Sequence, residues 1–209
     1  GVAEIMAMVE YIQIHPEFRH GDICIGFTPD EEVGAGADLF DVPLFGAEVA
    51  YTVDGGTLGE VEYENFNAAG AKVTIKGVSV HTGYAKGKMV NANRLACEFN
   101  SMIPDTDIPE ATEGYEGFYH LLGIESRTEE AKLNYIIRDH DREKFEDRKD
   151  FMERCVEKMN EKYGEGTVSI AIHDQYYNMK EKIDPNMHVI DIVLRAMQEN
   201  GVAPKVEPI

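Results

Sequence analysis

Between Phe66 and Ile172 the order and period of the apolar residues leave few folds open. Ala71, Val73 and Ile75 alternate with Lys72, Thr74 and Lys76, which predicts a strand with one apolar face and one face toward solvent or a partner. A helical repeat follows, with Ala92, Leu95, Ala96, Phe99 and Met102 on one side, until Pro104 and Pro109 break it. Two strands come next, around Phe118 to Ile124 and Leu133 to Ile137. Asp141 can then cap a long charged helix whose apolar stripe is Phe145, Met152, Cys155, Met159 and Tyr163, ending at Gly164. Val168, Ile170 and Ile172 supply the last strand. Strand, helix, strand, strand, helix, strand is the order of a split βαβ sandwich, in which a four-stranded antiparallel sheet has two helices on one face.

The flanking segments follow a different pattern. Val2, Ile5, Met6, Val9 and Ile12 share one helical face, and the short runs Ile23–Phe27 and Val49–Val53 read as buried strands, the second stopping at Asp54-Gly55-Gly56. Helices alternating with buried strands predict an α/β layer with a mainly parallel sheet. After Tyr177 a helix starting near Asn186, with Val189, Val193, Ala196 and Met197 inward, returns to that style. The expected organisation is therefore part of an α/β domain over 1–65, an inserted α+β domain over 66–178, and a return to the first domain over 179–209. The chain starts without Met in what already reads as helix and stops abruptly at Glu207-Pro208-Ile209, so both ends are expected to be cuts in a longer protein.

Composition narrows the partners. A 43% hydrophobic chain of 209 residues can bury a core. Its net charge of −19 argues against nucleic acid and anionic membranes, which need clustered Lys and Arg. Cys24, Cys97 and Cys155 are odd in number and widely spaced within apolar segments, a pattern of reduced, buried thiols in a cytoplasmic protein. No apolar stretch has the length of a membrane span.

Five residues stand out as carriers of chemistry. Asp30-Glu31-Glu32 follows the Ile23–Phe27 run and precedes the glycines Gly34 and Gly36, the edge of an open α/β sheet where ligands bind. Adjacent glutamates there point in different directions, so one can coordinate a metal while the other reaches a water. Asp54 ends the second run and can add a carboxylate at the same edge. On spacing alone a solvated acidic loop or helix N-terminus is the commoner explanation of such a triplet. His81, in a loop with Gly83, Lys86 and Gly87, can be ordinary polar surface, and Arg138 beside Asp139 can be an ion pair at a strand end.

Several collinear segments resemble the peptidase T family of di-zinc exopeptidases. They are Gly21–Ile23, Phe27–Gly34, Tyr51–Gly56, Tyr63–Ala69, Thr112–His120, Tyr135–Asp139 and Tyr176–Met179. The resemblance covers essentially the whole chain. It implies two zinc ions between a catalytic and a lid domain, with a tripeptide as substrate and a possible homodimer through the lid. It implies Glu31 as general base, Glu32 and Asp54 as zinc ligands, His81 as the lid residue that stabilises the oxyanion, and Arg138 as the cation for the substrate carboxylate. The family's other zinc ligands have no counterpart in this chain. His15, His20, His120, His140, His173 and His188 match none of their positions, so an incomplete di-zinc site is expected. Where the family has Pro after the lid histidine, this chain has Thr82. Two other readings stay open: an isolated lid or dimerisation module without chemistry, and a sister amidohydrolase or carboxypeptidase of the same fold.

Overall fold

The computed structural model describes residues 1–208. They divide into two compact units, one comprising Gly1–Glu60 and Arg195–Ala203, the other Val61–Leu194 with the residues from Pro204 on.

In the first unit, helix α1 (Val2–Ile14) forms where the 3.6-residue period placed it, and a single turn of helix, α2 (Val42–Phe45), is capped by Asp41, whose side chain accepts from the Leu44 amide at 2.9 Å. Along α1, Ile5, Val9 and Ile12 are half-buried, but Val2 and Met6 are exposed. The expected buried strands at Ile23–Phe27 and Val49–Val53 are absent. Both runs lie outside any sheet, with Ile23, Phe27, Tyr51 and Val53 exposed. The reason is physical: an interior strand of a parallel sheet exists only through ladders to neighbours, and among the described residues neither run is part of a ladder. Cys24 is exposed for the same reason, against the expectation of a buried thiol; Cys97, on the outer side of a helix, is exposed too, and only Cys155 is buried, where burial raises its thiol pKa.

The two-residue strands β1 (Glu60–Val61) and β6 (Lys205–Val206) lie outside the main sheet. That sheet comprises β2 (Asn67–Lys76), β3 (Phe118–Ser126), β4 (Glu130–Asp139) and β5 (Val168–Tyr176), all pairs antiparallel, in the order β3-β4-β2-β5. Helices α3 (Ala92–Asn100) and α4 (Arg142–Tyr163) cover one face. The split βαβ sandwich is thus formed as the pattern predicts. Val73, Ile75, Leu133 and Ile137 from the strands meet Phe99 of α3 and Phe145, Met152 and Met159 of α4, all essentially inaccessible to solvent. Burying each such side chain contributes roughly 1.5–3 kcal/mol, which makes this core the main source of the domain's stability. The caps are also where the sequence puts them. Asp141 accepts from the Lys144 amide at 2.9 Å, and Gly164 ends α4 at a φ of 105° that a side chain would strain.

Under the sheet, Arg148 of α4 bridges Asp139 and Asp107, each at 2.8 Å. Asp139 is almost fully buried, and Gly117 packs so closely against its carboxylate that a Cβ there would collide. Where the chain enters and leaves the sandwich, three asparagines tie the two crossings together. The Asn67 amide group donates to the carbonyls of Asp139 and His140, and its oxygen accepts from the Asn178 amide at 2.9 Å. Asn178 in turn accepts from the amides of Asn65 and Lys180, and Asn65 accepts from the Met179 amide at 2.7 Å. An ion pair between Glu64 and Lys180 adds to the clasp. After the clasp come the short helix α5 (Lys180–Ile183) and α6 (His188–Glu199). In α6, Val189 and Ile190 are buried and Val193 and Met197 half-buried, but Ala196 is exposed, contrary to its expected inward position.

Candidate active-site residues

Glu31 and Glu32 lie on a 3₁₀ turn, Glu31–Val33, set between two left-handed residues, Asp30 at φ 61° and Gly34 at φ 73°. Asp30 is the only non-glycine residue with positive φ among the described residues. Its carbonyl accepts from the Val33 and Ala35 amides, which holds the turn against that conformational cost, roughly 1–2 kcal/mol for an L-residue. With three residues per turn, successive side chains are rotated by about 120°, so the two glutamates point apart, and both are exposed. Gly36 approaches the turn, where a Cβ would sit 3.1 Å from Thr28 Oγ1. Asp54 is also exposed, and its Oδ1 accepts from the Gly55 amide at 2.7 Å. Among the described residues, no group of three or more His, Cys, Asp or Glu side chains is gathered so as to hold a metal ion.

His81 caps the 3₁₀ turn Thr82–Tyr84. Its Nδ1 accepts from the Gly83 amide at 3.1 Å, which puts the proton of the neutral ring on Nε2, exposed and available to donate. The loop is pinned at its base by the paired amides and carbonyls of Val78 and Val90. At Gly77 a Cβ would lie 2.0 Å from the Thr128 carbonyl oxygen, so only glycine lets the chain leave β2 in this direction.

Arg138 and Asp139 do not form the ion pair that their adjacency suggested. Alternation along β4 sends Asp139 to the helix-covered face, where Arg148 neutralises it, and Arg138 to the open face. There Arg138 has no carboxylate within ion-pair range among the described residues. Its Nη1 donates to the carbonyls of Ile137 at 2.9 Å and Ala69 at 3.3 Å, and its guanidinium lies 5.5 Å from the centre of the Tyr176 ring. Arg138 pairs with Ala68 at one end of β2, whereas the His81 loop leaves the other end, past Lys76.

The sandwich can be compared with known proteins on this geometry. Residues 63–167, half of the chain, match the peptidase dimerisation domain. The chain belongs to that family. Along all 209 residues it is 57% identical to Peptidase T of Clostridium novyi and 54% identical to Peptidase T of Bacillus subtilis, in each case covering 51% of the relative. The chain thus spans about half the length of the curated relatives it matches. Among solved structures, a tripeptidase from Staphylococcus aureus superposes on 98% of the chain and 55% of its own, with a TM-score of 0.78 at 21% identity. An aminopeptidase from Bacillus cereus superposes on 87% of the chain and 49% of its own, with a TM-score of 0.70 at 21% identity. At that identity these two structures speak for the fold. Two features escaped the sequence reading: the asparagine clasp, and the use of Asp139 by Arg148 instead of Arg138. The alternation of β4 held the signal for the second, because adjacent strand residues face opposite ways.

Proposed function

We propose that the full-length protein removes the N-terminal residue from tripeptides, with this chain supplying part of a zinc-dependent catalytic domain and a lid through which two subunits associate. The observation that carries this reading is the identity of 53–58% to proteins named Peptidase T, sustained over the whole chain. Glu32 and Asp54 are proposed as zinc donors, and the rest of a four-ligand shell would come from residues outside this chain. Bound zinc would acidify water and polarise the scissile carbonyl. Glu31, turned away from Glu32, is proposed to take the proton from the attacking water and return it to the leaving amine. His81 offers its Nε2 proton to the developing oxyanion. Arg138 binds the peptide's C-terminal carboxylate, a role supported by its having no carboxylate within ion-pair range among the described residues.

The opposite positions of His81 and Arg138 along β2 favour action across a dimer. From Ala68 to Lys76 the strand spans roughly 26 Å, whereas an extended tripeptide spans about 10 Å. One tripeptide that meets both residues is therefore proposed to take them from different subunits. The domain boundaries at 65/66 and 178/179, which fall within the clasp, and a cytoplasmic location complete the proposal. Among the described residues no helix is long and apolar enough to cross a membrane. The test is Glu31→Gln in the full-length protein. Tripeptide hydrolysis should lose at least about a hundredfold in kcat while KM changes little. Retention of full kcat would remove Glu31 from the mechanism.

A further inference from the structure

The open face of the sheet is unusual beside Arg138. Ala68 and Gly70 project there from β2, yet both are buried, because Arg138 and Tyr176 flank Ala68 and His173 covers Gly70. The register sets Arg138 and Tyr176 on either side of Ala68, and His173 opposite Gly70. The imidazole of His173 lies so close over Gly70 that a Cβ at that position would be 2.4 Å from its Cε1 and 2.8 Å from its Nε2. The guanidinium is held on the Ala69 carbonyl and the imidazole over Gly70, so the two groups reach over consecutive residues of β2 from the strands on either side of it. His173 is exposed, and its ring nitrogens make no hydrogen bond among the described residues.

We infer that His173 and Arg138 together form one carboxylate-binding subsite, with the imidazole donating to the second oxygen of a carboxylate that Arg138 holds. The inference rests on the proposed role of Arg138 and adds a residue that determines preference for a free C-terminus. Three features support it. The glycine at 70 is what lets the imidazole approach β2 this closely. The Arg138 Nη1 is occupied by backbone carbonyls, so the fork is fixed in place while its other nitrogens remain free for a ligand. Finally, Lys72 follows on the same face, exposed, so the surroundings of the subsite favour an anion. The ligand class is a small carboxylate at the end of a short peptide.

The experiment compares trialanine with its C-terminal amide, using the full-length protein. His173→Ala should raise KM for the free acid about fivefold, leave kcat within about twofold, and leave the amide unaffected. Gly70→Ala should do the same, because it displaces the ring without removing it. The thermal midpoint of His173→Ala should match the parent, since that side chain is exposed. Titration of the His173 imidazole signals with trialanine gives a readout independent of turnover: a saturable shift is expected with the acid and none with the amide. If Arg138→Gln abolishes the preference for the acid while both other variants keep it and the imidazole does not respond, the role of His173 is overturned and that of Arg138 stands. If Arg138→Gln leaves the preference intact, the reading on which the inference rests falls with it.

Discussion

The sandwich and the flanking unit are built from chains of similar apolar content, yet only the sandwich buries it. In the sandwich, twenty hydrophobic residues form one core cluster between sheet and helices. In the Gly1–Glu60 segment no hydrophobic side chain is buried, and Phe27, Leu39, Leu44 and Tyr51 are open to solvent. The difference lies in where the partners are. Every strand of the sandwich finds its neighbour within about a hundred residues of the same chain, so its ladders and both its faces are determined internally. The apolar runs of the flank have strand character but no ladder partner here.

The sharpest way to break the comparison is to truncate one large side chain in each region of this chain. Phe145→Ala should lower stability by about 3–5 kcal/mol, whereas Phe27→Ala should change it by less than about 0.5 kcal/mol, both measured by urea denaturation. Equal losses would mean that the flank contributes a core of its own. A smaller effect is expected at the clasp that joins the two crossings. Asn67→Ala leaves the Asn178 backbone amide without its buried partner, at a cost of about 1–3 kcal/mol. Amide exchange at Asn178 should accelerate well before exchange in the β2–β4 ladder; unchanged protection would show that the clasp does not hold the crossings together.

The smallest effect is electrostatic and confined to the sandwich surface. Hydrogen bonds from Lys162 and then Tyr163 hold the Glu98 carboxyl below the usual glutamate range, and the Tyr177 hydroxyl, followed by Lys149, does the same for Asp174. Both folded-state values are depressed. Their stabilisation is therefore complete above about pH 4.3 and is lost as the pH falls below the unfolded-state values toward the folded ones. The doubly neutralised variant Glu98→Gln, Asp174→Asn should show a shallower acid decline of the thermal midpoint than the parent, with little difference at neutral pH. Parallel acid limbs would assign the decline to other carboxylates. At neutral pH the Tyr119 phenol, pushed up to about 12 by burial, stays protonated and adds nothing to this slope.

The legibility of the molecule follows the same division. The alternation in β2, the stripe of α4, the Asp141 cap and the Gly164 stop were readable because each is a local consequence of residue order. The runs Ile23–Phe27 and Val49–Val53 were misread as formed strands because a period reports what a segment can bury, and burial needs a partner. Glu31, Glu32, Asp54, His81 and Arg138 could be singled out by residue type and by resemblance. Their geometry could not be read that way. Only the folded structure shows that Glu31 and Glu32 share a 3₁₀ turn, that Arg148 claims Asp139, and that the imidazole of His173 lies over Gly70.

The sequence by itself determined the class of the sandwich, the ends of its helices and the list of residues able to do chemistry, since these depend on periodicity and on local backbone hydrogen bonding. Tertiary structure alone decided which charges are spent internally and which remain free. Strand pairing brings together residues as far apart as Ala68 and Arg138, and the alternation of side chains then sorts neighbours in sequence onto opposite faces: Asp139 into the protein, Arg138 onto the open face of the sheet.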